Sequence, residues 1–444
     1  NGVTVFLVPS HTLPLIDFTF SFRGGSYLEP AGKEGLAAAT GSMMRRGGTS
    51  SISAEELDER LDFLAAQAST SVSDERATAS LNCLRSNLDE AFALFLDMLR
   101  NPGFQEDRFQ IFKGEFLEEM KQRNDSAGSI LSREWNALLF GRDHFEARVA
   151  TKPSLDAISI DDMRALHRQI FHPGSLIIGV TGDFEKRAML ARLEAALEGW
   201  EVGAQPPEPP APRSGVLPGV YHVEKDIPQG KVYMGMRSIE RDHPDAIPLR
   251  VMNRILGGGG FTSRITNRVR SDEGLAYSAG SSLRPRYSYP GEFRAYFQSK
   301  NRTVALATKI ILDEIDKVRT SEVQDEELEV AKNSMIETFP RAFESKRAMV
   351  RIFIDDTWHP RPEGFWRTFR DKVRAVDSKQ VQRVAREHLD PTKMAIMVVG
   401  KWAEILPGDL EGRASMREFF GGEVKHLPLR DPLTQEPLKE KPAP

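Results

Sequence analysis

Hydrophobic and polar residues alternate through Val3–Val8, Ile16–Arg23 and Thr78–Leu84, the pattern of strands with one face in a core. The segments Glu55–Ala66, Asn87–Leu99, Asp107–Arg123 and Ile130–Leu139 instead carry apolar residues at helical spacing, one stripe to each helix. Strands and helices are grouped rather than strictly alternating. This predicts an α+β domain in which helices cover an antiparallel sheet.

The pattern then repeats. Ile158-Ser159-Ile160-Asp161-Asp162 opens a helix that runs to Phe171, followed by His172-Pro173, an apolar strand and Gly182. At one constant offset, Val376-Asp377-Ser378-Lys379-Gln380 opens a helix to Leu389, followed by Asp390-Pro391, an apolar strand and Gly400. Phe104-Gln105-Glu106-Asp107 and Val323-Gln324-Asp325-Glu326 match at nearly the same offset. Agreement over this span indicates a tandem duplication of two homologous domains. Between the copies, the Pro- and Gly-dominated stretch Glu201–Gly219 can continue neither a helix nor a central strand. The expected organisation is an N-terminal domain at 1–203, a Pro-rich linker at 204–219, a C-terminal domain at 220–428 and a flexible polar tail at 429–444.

Bulk composition narrows the function classes. The 444-residue chain is 40% hydrophobic and 28% charged, with 60 basic and 64 acidic residues and a net charge of −4, so no basic surface for nucleic acid is expected. Its longest apolar runs, Ala91–Leu96 and Met394–Val399, fall far short of the roughly 20 residues of a membrane span. The single cysteine, Cys83, lies within an apolar strand pattern and excludes an internal disulfide framework. The sequence starts at Asn1-Gly2 without an initiator methionine. The compartment is therefore undetermined, and the bacterial periplasm is favoured over the cytoplasm if an export signal was removed upstream.

Two stretches carry candidate chemistry. The first, Ile255–Gly280 (ILGGGGFTSRITNRVRSDEGLAYSAG), places Gly257, Gly258, Gly259 and Gly260 before a short helix. Thr262 or Ser263 can cap that helix, and Ile265 and Val269 face inward. Gly274 suits the helix C-terminus, and Leu275, Tyr277 and Ala279 alternate along a new strand. Arg270 on the last turn and Tyr277 early on the strand can then point into one cleft. The glycine run is no phosphate loop, because Phe261 follows Gly260 where a Lys is needed. It suits close backbone approach to an extended peptide, or a flexible turn. The nine histidines include no H-x-x-x-H pair, and there is no G-x-S-x-G elbow.

The second stretch, residues 32–49 (GKEGLAAATGSMMRRGGT), resembles the active-site helix of the pitrilysin/insulinase family of zinc peptidases. That helix carries H-x-x-E-H: two zinc-binding His one turn apart and a Glu that activates the attacking water. The flanks fit, with Gly35-Leu36-Ala37 before and Met43-Met44 and Gly47-Gly48-Thr49 after. The three chemical positions hold Ala38, Gly41 and Ser42 instead, none of which is a strong ligand or a base. The family's third ligand, a Glu on a later helix, corresponds to Glu119, one of a carboxylate cluster with Glu115 and Glu118. Ile255–Gly280 is similar to the family's C-terminal Gly-rich motif with its Arg…Tyr pair, here Arg270 and Tyr277.

The resemblance implies two such domains closing like a clamshell. It also implies the zinc-lacking subunit of a two-chain peptidase, as in mitochondrial processing peptidase and paired bacterial peptidases. This chain would hold no cofactor. A homologous H-x-x-E-H partner would bring Zn, forming a heterodimer that acts on peptides or unfolded segments. Arg270 and Tyr277 would serve that partner's site as donors to a developing oxyanion. The alternative is a catalytically inactive structural or peptide-binding scaffold, like the core subunits of respiratory bc1 complexes. A self-sufficient peptidase with a different metal site is the third reading.

Overall fold

The computed structural model describes residues 2–213 and 215–438. The protein is α+β and divides into two compact units. The first comprises residues 1–121, 148–210 and 341–360; the second comprises 122–147, 211–340 and 361–444. Each unit therefore takes one helical segment from the opposite side of the Pro-rich stretch, an exchange absent from the sequential division at 1–203 and 220–428.

The first unit is built on strands β1 (Thr4–Pro9), β2 (Leu15–Arg23), β3 (Gln67–Val72), β4 (Arg76–Leu84) and β5 (Leu176–Gly182), in the order β1-β5-β2-β4-β3. The sheet is mixed rather than wholly antiparallel, because β1 runs parallel to β5. Alternation on β2 sends Ile16, Phe18, Phe20 and Phe22 inward. On the helix Leu88–Arg100, Phe92 stacks on Phe18 at 4.8 Å and Phe95 meets Phe20 edge-on at 5.3 Å between ring centroids. β5 is buried on both faces. Its second face is covered by the helix Lys346–Trp358, whose Val350 and Ile354 pack on Ile177 with Phe6, Val8 and Trp358 at the margin.

The second unit repeats the plan with β6 (Gly219–Glu224), β7 (Gln229–Arg237), β8 (Ala276–Arg284), β9 (Glu292–Lys300), β10 (Ala395–Gly400) and β11 (Val424–Leu427), in the order β11-β6-β10-β7-β9-β8. β6 runs parallel to β10, as β1 does to β5, and β11 extends the sheet beyond it. One face packs on the helix Val304–Thr320, where Val304, Ala307, Ile311 and Ile315 are fully buried. The other takes the helix Ala127–Phe140, whose buried Trp135 donates from Nε1 to Glu292 at 2.8 Å and meets the Tyr233 ring edge-on at 6.0 Å. The helices Ala127–Phe140 and Lys346–Trp358 thus fill equivalent places on the two sheets.

The repeat extends to helix starts. Ser159 Oγ accepts from Asp162 N–H at 3.2 Å and Asp377 Oδ1 from Gln380 N–H at 2.7 Å, each cap closed by the reciprocal side chain. The tail departs from expectation over 429–438. Asp431 Oδ1 accepts from the N–H groups of Leu433 and Thr434, each at 2.8 Å, and Leu438 N–H bonds Leu429 O at 2.8 Å, forming an ordered turn. The remainder of the expected tail, 439–444, lies outside the described residues.

Candidate functional site

In the first unit the degenerate motif forms the helix Leu36–Arg46, which starts after Gly35 in the left-handed region (φ 103°). Glu29 caps it, with Oε1 accepting from Gly35 N–H at 3.1 Å and Ala37 N–H at 2.7 Å. Burial raises the Glu29 carboxyl to about 7, against the opposing pull of those bonds and Arg148. Leu36, Ala37, Ala39, Met43 and Met44 face the core; Ala38 is exposed, Gly41 buried and Ser42 half-buried.

Gly41 is where the helix meets the edge strand. A Cβ there would lie 2.7 Å from Val72 N and 3.0 Å from Ser71 Cα on β3, and Thr70 Oγ1 donates to Gly41 O at 2.6 Å. The helix backbone rests directly on the strand backbone, which only glycine permits. Glu119 is exposed on the helix Glu106–Lys121. One turn earlier, Glu115 forms a bidentate pair with Arg46 at 2.8 and 3.0 Å, and that pairing holds its carboxyl below the usual range. These residues do not fit a zinc ion: Ala38 and Gly41 supply no donor, and one carboxylate does not replace two imidazoles.

The second unit places its Gly-rich run at the equivalent position, after β7 and against the edge strand β8. The helix Ala246–Asn253 continues into a π-helical turn, Arg254–Gly258. A Cβ on Gly257 would lie 2.4 Å from Ser281 N on β8, the counterpart of Gly41 on β3. The carbonyls of Gly258, Gly259 and Gly260 accept from Arg254 Nη1 (3.1 Å), Thr262 Oγ1 (3.0 Å) and Ser263 Oγ (2.7 Å). Gly260 has φ +63° and open space around it. The run is thus largely held by its own neighbours.

Beyond it, Ser263 starts a short helical turn, Arg264–Thr266, that widens into a second π-helical turn, Asn267–Asp272, carrying Arg270. Ile265 and Val269 are fully buried below. β8 does not alternate strictly at its start. A bulge between Ala276 and Ala279 turns both Tyr277 and Ser278 outward. The Arg270 guanidinium carbon then sits 4.8 Å from the Tyr277 ring centroid and 4.6 Å from that of Phe261. Phe261 is 67% exposed and Tyr277 85%. Among the described residues no hydrogen bond or ion pair engages the guanidinium, so its N–H edge is available while its faces are covered. Sequence reasoning had paired Arg270 with Tyr277 but missed Phe261, whose signal was an exposed aromatic directly after the glycine run.

The comparisons agree with this layout. The family described as insulinase (peptidase family M16) matches residues 16–150, and that described as peptidase M16 inactive domain matches 157–335. A Helicobacter pylori protein described as non-peptidase homolog YmxG is 26% identical over 404 residues, 89% of this chain and 91% of its own. A solved peptidase M16 inactive domain from Pseudomonas fluorescens superposes with a TM-score of 0.80 at 24% identity, over 90% of this chain and 96% of that one. A Helicobacter pylori protease structure gives 0.75 at 20% identity, over 90% and 97%. With two matched domains in tandem and a motif helix emptied of its ligands, the chain belongs to the insulinase family of peptidases, M16, and carries that family's inactive domain.

Proposed function

We propose that this protein is the non-zinc subunit of a heteromeric metallopeptidase, lending Arg270 and Tyr277 to the site of a homologous partner that carries H-x-x-E-H. The observation that carries the reading is the contrast between the two equivalent places. The motif helix has no ligands and is sealed on β3 at Gly41. In the Arg270–Tyr277 pair the ring is exposed and the half-buried guanidinium is unspent, an arrangement a pure scaffold does not need. As an extended peptide is attacked, negative charge builds on its carbonyl oxygen. The Arg270 N–H edge and the Tyr277 hydroxyl are donors suited to that oxygen. Substrates of this class are peptides or unfolded segments, bound through backbone hydrogen bonds with little demand on sequence. The catalytic zinc would belong to the partner alone. No helix among the described residues is long and apolar enough to cross a bilayer.

The test is reconstitution. The purified chain should hydrolyse no peptide, with or without added zinc. Mixed with an H-x-x-E-H homologue encoded in the same genome, it should raise that protein's peptidase activity. Absence of both complex formation and stimulation would reject the reading in favour of a scaffold.

A further inference from the structure

A cluster of metal-capable side chains lies apart from the residues discussed so far. Asp245 immediately precedes the helix Ala246–Asn253, with His243 two residues before it, and His388 ends the helix Ser378–His388. One ligand atom from each lies within 4.8 Å of the others, the only such trio among the described residues. His388 Nε2 is 2.8 Å from Asp245 Oδ2, and the His243 and His388 rings stand edge-to-face at 5.2 Å. His243 Nδ1 accepts from Asp245 N–H at 3.1 Å, a bond its single lone pair gives up when that nitrogen takes an ion.

The donor set is near the size an ion requires. A tetrahedral zinc-type ion about 2.0–2.1 Å from each ligand sets donors about 3.4 Å apart. One pair is 2.8 Å apart and all three ligand atoms lie within 4.8 Å of one another, so small side-chain adjustments reach that distance. Arg383 competes for Asp245, at 2.6 and 3.2 Å, but it also bonds Glu387 at 2.8 Å and keeps that acceptor when Asp245 turns to a metal. His243 is exposed, which leaves an entry path and an open fourth position. Two imidazoles and one carboxylate select a borderline divalent ion over magnesium or calcium.

We propose that His243, Asp245 and His388 bind one divalent transition-metal ion of the zinc type. The ion takes the place of the proton between His388 Nε2 and Asp245 Oδ2; in the neutral ring that proton moves to Nδ1. The site joins the ends of two helices, one of which leads straight into the Gly-rich turn, and it is independent of any partner's zinc.

The experiment is calorimetric titration of the tag-free, chelator-treated full chain with Zn(II), and with Co(II) read by its visible absorption. One ion per chain is expected, undisturbed by millimolar magnesium. His243→Ala removes an exposed ligand with little risk to folding, and His388→Gln retains a donor for Asp245. Each should weaken zinc binding at least tenfold. His426→Ala, whose Nδ1 lies 3.0 Å from His222 Nδ1 in a separate histidine pair, and Glu119→Gln, on the degenerate motif's side, should leave it unchanged. Absence of saturable binding, full affinity in His243→Ala, or loss of the site in His426→Ala or Glu119→Gln would overturn the assignment.

Discussion

The guanidinium of Arg270 stacks on the ring of Tyr277 at 4.8 Å, with Phe261 closing its other face at 4.6 Å. The stack lies on a π-helical turn and a β-bulge, two distortions that aim side chains outward. Because both aromatics are exposed, the stack contributes little to folding. Arg270→Ala and Tyr277→Phe should therefore leave the unfolding midpoint nearly unchanged. In the reconstituted complex each should lower kcat by about 10²–10³, the usual loss of one oxyanion donor. Tyr277→Phe is the sharper test, since it keeps the ring and deletes only the hydroxyl. Unchanged kcat in both variants, in an otherwise active complex, would remove these residues from catalysis.

Gly41 makes a second expectation. Because a Cβ there falls 2.7 Å from a β3 backbone nitrogen, Gly41→Ala should destabilise the chain by about 1–3 kcal/mol through overpacking. Ala38→His, on the exposed face of the same helix, should stay within about 0.5 kcal/mol. The triple change Ala38→His, Gly41→Glu, Ser42→His should consequently fail to recreate a peptidase. Denaturant unfolding of the single variants separates the two costs, and a Gly41→Ala effect as small as that of Ala38→His would show that the gap opens freely.

How far the sequence foretells this architecture depends on where each element buries its side chains. β2 was legible because Ile16, Phe18, Phe20 and Phe22 all face one core. β3, Gln-Ala-Ser-Thr-Ser-Val, was not, because an edge strand under a close-packed helix needs small residues rather than an apolar stripe. The stripe on Ile130–Leu139 announced a packed helix but could not say which sheet it packs on, so the exchange between units was invisible. At the candidate site the helix-then-strand spacing brought Arg270 and Tyr277 together. The bulge that turns Tyr277 outward left no sequence trace, and the polarity of 429–438 suggested mobility where Asp431 in fact closes a turn.

A pH effect should arise at the cap of the motif helix. The Glu29 carboxyl stands at about 7 in the folded protein against 4.5 ordinarily, chiefly through burial. The folded state then holds a proton that the unfolded state has released, so this group's contribution to stability falls as pH rises from about 4.5 to 7 and is flat beyond. Glu29→Gln retains an oxygen for Ala37 N–H but cannot titrate. Relative to the variant, the native chain should lose stability between pH 5 and pH 8. Denaturant unfolding at four pH values across this range reads the slope directly, and a difference independent of pH would contradict the assignment.

The exchanged helices make the two halves interdependent in a way their duplication does not suggest. In the first unit, Val350 and Ile354 cover the second face of β5, and a Cβ on Gly179 would lie only 2.1 Å from Val350 Cγ1. Ile354→Ala should cost about 2–5 kcal/mol, a cost borne by a sheet that lies almost wholly in the other half of the sequence. A fragment of residues 1–210 keeps all five strands but lacks 341–360, leaving Ile177, Phe6 and Val8 in water. It should aggregate or unfold without cooperativity. Supplying the segment in trans, on a fragment of residues 211–438, should restore a cooperative transition, because the missing cover and not the missing linker is what the sheet lacks. A soluble, cooperatively folding 1–210 fragment would show that the first sheet does not depend on the borrowed helix.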